Sequence, residues 1–256
     1  MTVAIHRVSD VNALHASAAA MFVSTAVHAV RERGSFRVAL AGGTTPKGVY
    51  SLLADDDRLR SQVAWDQVQF FWGDERHVGP DHADSNFRMA QEAMLNRLPI
   101  NASQVWRIKG EYPDAARAAE EYERDLWSAF GAGPEGAEMP RFDLVLLGMG
   151  PDGHTASLFP GTDALRERRR LVVANRVEQL NTERITLTPP VLNNAAEVVF
   201  LVRGPDKAGA LKAVIEGSYQ PDQLPAQLIR PLHGRVLWLV DPSAARLLST
   251  VNDAGG

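Results

Sequence analysis

The chain has 256 residues, 45% of them hydrophobic and 23% charged, with a formal net charge of −4. Such a composition suits a globular protein of one large or two small domains, and the negative balance argues against a general nucleic-acid surface, which needs a basic excess. It contains no cysteine, so disulfides, thiolate metal sites and cysteine nucleophiles are all excluded, which points to the cytoplasm.

The opening MTVAIHRVSD lacks a basic segment followed by an apolar core, so no secretory signal is expected. No apolar run approaches the ~18 residues of a membrane span, so no membrane partner is expected either. Residues 10–33 read as a helix, with Leu14, Ala18, Met21, Phe22, Thr25, Ala26 and Ala29 at helical spacing. Strand-like runs follow at 36–42, 68–73, 142–148, 171–175, 184–188, 198–202 and 235–241. Between them, helical stretches near 46–54, 85–97, 114–130, 205–216 and 242–250 each open through Pro, Ser or Asp. Several runs lack polar alternation, as strands covered on both faces do. The fold class expected is therefore α/β: three layers, a mainly parallel sheet flanked by helices with Rossmann-like topology, in a single domain over 1–256. The stretch GAGPEGAEMP at 131–140 reads as a loop, too short for a domain linker.

In open α/β sheets ligands bind beyond the carboxyl ends of strands, and four segments there carry suggestive residues. In LAGGTTPKGVY, Gly42 and Gly43 follow a strand and Pro46 opens a helix, a turn that suits either an anion or nothing at all. WGDERHV sets two acids, an arginine and a histidine after an apolar strand, which a solvated ion-paired loop would also do. His77 and His82 with Asp81 and Asp84 lack the spacing of a metal site, so no metal and no cofactor is expected; Ser85 and Asn86 read as helix caps. GMGPDGHTASLFPG contains G-x-G-x-x-G, but Pro160 and Gly161 end any helix soon after Gly153, and Asp152 and His154 occupy the turn itself. A dinucleotide fingerprint needs a sustained helix there, so the better reading is a turn holding His154 as a general base, with Asp152 one candidate to orient it. The fourth segment is cationic: Arg184 opens RITLT, and Lys207 stands in the first turn of a helix, where a cation is comfortable beside an anion. A snorkelling surface lysine would give the same pattern.

Taken in order, LAGGTTPKGVYSLLA, FFWGDERHVGPDHADSNFRMA, FDLVLLGMGPDGHTASLFPGT, RITLTPPVLNNA, FLVRGPDKAGAL and WLVDPSAARLL resemble the 6-phosphogluconolactonase family of the pentose phosphate pathway, over about residues 36 to 250. The resemblance implies hydrolysis of 6-phospho-D-glucono-1,5-lactone with His154 as the base that activates water. It places Gly42, Gly43, Thr44, Arg76, Arg184 and Lys207 around the phosphate and sugar, and Asp74 and Asp152 at the site as orienting groups. Arg76 could contact the phosphate or steady the oxyanion. The related glucosamine-6-phosphate deaminases carry Asp-Glu-Tyr where this chain has Asp74, Glu75 and Arg76, and an acid where it has Phe159; both differences favour the lactonase. A sugar-phosphate isomerase or a non-catalytic sugar-phosphate-binding domain is the alternative. The partner expected is thus a small sugar-phosphate lactone, and the expected assembly is a monomer.

Overall fold

The computed structural model describes residues 2–131 and 138–249. Six strands make a wholly parallel sheet in the order β1 (Thr2–Arg7), β9 (Arg235–Val240), β8 (Glu197–Val202), β5 (Leu144–Leu147), β2 (Phe36–Leu40) and β3 (Val68–Trp72). Residues of β5 and β8 are buried throughout, which is why their sequences show no polar alternation. The connection out of β2 leads to β3 on one side, and the path out of β5 leads to β8 on the other. Their carboxyl ends therefore flank a topological switch point, where open α/β sheets leave a crevice.

The helices that build the outer layers are α1 (Val11–Arg33), α2 (Thr44–Asp55), α3 (Asp57–Arg60), α4 (Asn86–Ala93), α5 (Ala115–Ala129), α6 (Pro189–Leu192), α7 (Ala208–Glu216) and α8 (Pro242–Ala245). Each boundary has a local cause. Asp10 caps α1 by accepting from the Ala13 N–H at 2.8 Å, and Gly34, at φ 72°, closes the other end with its N–H on the Val30 carbonyl. The expected helix at 85–97 stops at Ala93 because Met94 adopts φ −143°, and a short 3-10 turn follows. The one at 205–216 begins as a 3-10 turn that ends on Lys207, and the one at 242–250 runs only from 242 to 245.

Three findings depart from expectation. Residues 2–7 form an edge strand; its Val3 is exposed, so it lacks the apolar signature of the inner strands. The runs near 171–175 and 184–188 leave the parallel sheet and form a separate antiparallel one, β4 (Asp74–Arg76), β7 (Thr182–Leu187) and β6 (Val172–Val177). Finally, α1 is 23 residues long and holds an 18-residue window of mean hydropathy 1.4, enough by length and composition to cross a bilayer, contrary to the sequence-based exclusion. Its alanines raise the average without forming an unbroken apolar run. In the fold Leu14, Ala18, Phe22, Ala26 and Ala29 are buried in the core, as a packed core helix requires. Most of the loop read at 131–140 lies outside the described residues.

Candidate active site

Two buried tyrosines set the strand ends from which the site is built. The Tyr50 hydroxyl, from α2, both donates to the Ala41 carbonyl and accepts from the Ala41 N–H, each at 2.9 Å. The Tyr122 hydroxyl, from α5, does the same for Trp72, accepting from its N–H at 2.8 Å and donating to its carbonyl at 3.0 Å. Burial, above all, holds both phenols far above the ordinary tyrosine range, so they stay neutral and able to do both. Backbone groups that leave the ladder at the ends of β2 and β3 are thereby satisfied.

Beyond those strand ends lies a cleft of about 270 Å³ lined by Gly42, Gly43, Thr44, Asp74, Arg76, His154 and Lys207, among others. Gly43 caps α2 at φ 101° with no side-chain hydrogen bond, which leaves the first N–H groups of that helix facing the cleft. Gly42 serves a different need: a Cβ there would sit 1.8 Å from Oδ1 of Asn86. Asn86 lines the cleft and donates Nδ2 to the Asp74 carbonyl at 3.0 Å; the capping role expected of it falls to Ser85 alone, whose hydroxyl accepts from the Arg88 N–H.

The GDER segment is a strand, and its alternation divides the labour. Glu75 turns inward and is 2% exposed, accepting hydrogen bonds from the Arg76, Asn86 and Phe87 N–H groups and the Ser85 hydroxyl. Burial pushes its carboxyl up, and those donors only partly offset the push. Asp74 faces the cleft and accepts from the Ser157 hydroxyl at 2.6 Å. Arg76 lines the cleft with Nε buried and unpartnered, its NH1 donating to the Asp84 carbonyl. Directly opposite it in the antiparallel pair is Arg184, whose guanidinium burial, and then the charge of Arg76, hold below the usual arginine range. Like charges paired across strands are unfavourable until an anion joins them. Arg184 itself does not line the cleft; its NH1 donates to the Thr182 hydroxyl.

His154 stands on the turn after β5. Its Nδ1 lies 2.6 Å from Asp152 Oδ1, which also accepts from the His154 N–H at 3.1 Å. Burial pushes the Asp152 carboxyl up, but the hydrogen bond and charge of His154 outweigh it and hold the group below its ordinary range. Asp152 is therefore ionised and accepts from Nδ1–H, an arrangement that in the neutral ring places the lone pair on Nε2. Among the described residues Nε2 has no hydrogen-bond partner. The imidazole stacks on Phe159 with centroids 4.1 Å apart. No helix follows Gly153, whose φ is 78°. Gly150 is there for space: a Cβ would meet His154 Nδ1 at 2.1 Å and Asp152 Oδ1 at 2.5 Å. Ala156, at φ 47°, lines the cleft in a conformation that costs a non-glycine residue on the order of 1–3 kcal/mol.

Of the residues weighed for a metal, only His82 and Asp84 come together, with Nδ1 3.7 Å from Oδ2. His77 Nε2 lies on the Tyr112 carbonyl and His82 Nδ1 accepts from the Asp84 N–H; among the described residues no three His, Asp or Glu side chains gather as ligands. Sequence reasoning missed Asn86, Ala156 and Arg203, all of which line the cleft. Arg203 was visible just before the glycine of VRGPDK; nothing in local spacing marks Asn86 or Ala156.

Fold and cleft together define a class: a three-layer α/β protein with a histidine and several cations gathered at the carboxyl ends of a parallel sheet. Residues 9–238 match the family described as glucosamine-6-phosphate isomerases/6-phosphogluconolactonase. A 6-phosphogluconolactonase of Nostoc sp. is 40% identical over 94% of this chain and 96% of its own length, and one from Rattus norvegicus is 40% identical over 85% and 82%. Among solved structures, a 6-phosphogluconolactonase from Trypanosoma cruzi superposes with a TM-score of 0.83 at 31% identity, over 98% of this chain and 99% of that one. A monomeric glucosamine-6-phosphate deaminase shares the fold, with a TM-score of 0.77 at 22% identity. The chain belongs to the 6-phosphogluconolactonase family within that superfamily.

Proposed function

We propose that this protein hydrolyses 6-phospho-D-glucono-1,5-lactone to 6-phospho-D-gluconate, the lactonase step of the oxidative pentose phosphate pathway, in the cytoplasm. The observation that carries the reading is the setting of His154: Nδ1 is engaged by Asp152, Nε2 has no partner among the described residues, and the ring shares one cleft with Lys207, Arg76 and the first turn of α2. Relatives named for this activity over nearly the whole chain support it.

In this account the substrate phosphate is held by the Gly42–Gly43–Thr44 turn and Lys207, with Arg184 backing Arg76. His154 Nε2 takes a proton from water as the water oxygen bonds to the lactone carbonyl carbon. The negative charge on the resulting tetrahedral centre is met by Arg76. Collapse breaks the bond to the ring oxygen, which receives the proton from His154, and the free carboxylic acid then ionises. Asp152 holds the ring in its reactive tautomer throughout, while Asp74 accepts from a sugar hydroxyl. A lactone is already an activated ester, so a positioned base contributing ~10²–10⁴-fold and a cation on the oxyanion are enough. The deaminase reading lacks its acid, because the corresponding place is taken by the Phe159 ring stacked on His154.

Acid release from freshly generated lactone tests the proposal against the spontaneous rate. The wild-type protein accelerates it, and His154→Ala loses about 10²–10⁴-fold in kcat. A His154→Ala variant as fast as wild type would remove the assigned base.

A further inference from the structure

Arg203 is the first residue after β8, at the carboxyl end of a central strand, and lines the same cleft as Lys207, Gly43 and Thr44. The other cations there are engaged: Lys207 Nζ lies 2.9 Å from Asp206 Oδ2, and Arg76 donates to the Asp84 carbonyl. Arg203 makes no hydrogen bond and no ion pair among the described residues. Its backbone, by contrast, is fixed on both sides. The Gly204 N–H donates to Asp241 Oδ1 at 3.1 Å, with Gly204 at φ 101°, and the Asp241 N–H donates to the Val202 carbonyl at 3.1 Å. The titratable group that senses it from the neighbouring layer is His15 of α1, whose ring lies against Gly48 and whose Nε2 is buried without a partner. Burial, and then the charge of Arg203, hold that imidazole below its ordinary range, which favours the neutral ring and keeps a second positive charge away from Arg203.

A guanidinium anchored at its backbone, without a partner among the described residues and lining one cleft with a lysine and the first turn of a helix, is a fork suited to an oxyanion. We propose that Arg203 is a further anion-binding residue of this cleft, which grips the phosphate together with Lys207 and sets the preference for phosphorylated over unphosphorylated lactones. The lactone preference rests on the lactonase reading; the anion contact does not.

The two are separable by experiment. Inorganic phosphate titrated calorimetrically into wild type, Arg203→Gln and Arg203→Lys reports the contact alone. Affinity falls about tenfold or more in the glutamine variant and is partly restored by lysine, which keeps charge but not the fork. In turnover assays the ratio of kcat/KM for 6-phosphogluconolactone over unphosphorylated glucono-1,5-lactone falls by a similar factor, and the change is carried by KM. Unchanged phosphate affinity and an unchanged ratio in Arg203→Gln overturn the inference. If wild type failed to hydrolyse the lactone, the lactonase reading would fall while the phosphate titration still decided the role of Arg203.

Discussion

The imidazole of His154 is held by two small facts of sequence, an aspartate two residues before it and a glycine four residues before it. Gly150 leaves the volume in which the His154–Asp152 pair sits, since a methyl group would come within 2.1 Å of Nδ1. Gly150→Ala therefore displaces the pair rather than the core. We expect kcat to fall on the order of 10²-fold with little change in the urea midpoint, because ångström-scale misplacement of a reacting group costs that much. Asp152 gives a pH signature. Its folded-state carboxyl sits below the ordinary range, so its contribution to stability is present above the unfolded value and is lost as pH falls through the folded one. Wild type should thus be more stable than Asp152→Asn at neutral pH, with the gap closing on acidification. The effect is modest because the carboxylate is half-exposed, and denaturant melts across that pH range measure it. The Asp152–His154 contact was legible because both partners are close in sequence. Phe159, five residues on, was legible as a missing acid but not as the surface on which the ring stacks.

At the level of elements, the three-residue strand β4 links the two sheets and carries the site on one face. Its buried Glu75 binds the N-terminus of α4 through the Asn86 and Phe87 N–H groups at 2.7 and 2.8 Å. Glu75→Gln keeps the shape but replaces one accepting oxygen with an NH₂ that faces backbone donors. We expect a loss of about 2–3 kcal/mol in unfolding free energy, read from urea denaturation, together with a raised KM as Asn86 shifts against Gly42. No sequence period could have announced this strand. Three charged residues after an apolar run read as a solvated loop, and only pairing with β7, distant in sequence, makes them extended. The inner strands were legible for the opposite reason, since burial on both faces leaves continuous apolar runs. The edge strand β1 and the antiparallel β6–β7 pair obey pairings that a local window does not contain.

Over the whole molecule, loops distant in sequence converge because the parallel sheet delivers the ends of β2, β5 and β8 to one side of the fold. Gly42, Gly43, Thr44, Asp74, Arg76, His154 and Lys207 all line the cleft; strand-end position alone drew attention to the turns around Gly42 and His154, and the resemblance to the 6-phosphogluconolactonase family supplied the rest. Arg184 was nameable for its charge, but its position behind Arg76 follows from strand register, which composition does not reveal. Arg203 stood inside FLVRGPDKAGAL but was passed over for Lys207, whose place in a helix's first turn drew attention instead. In that shared cleft the proposed labour is divided: cations and amides hold the anion, and the imidazole alone moves the proton.

Calorimetric titration of 6-phosphogluconate into His154→Ala tests that claim most directly. The account predicts an affinity within about 0.5 kcal/mol of wild type, the scale at which separate sites act independently, in a variant that no longer accelerates lactone hydrolysis. Product affinity that collapsed along with activity would contradict it, because the histidine would then be part of the grip.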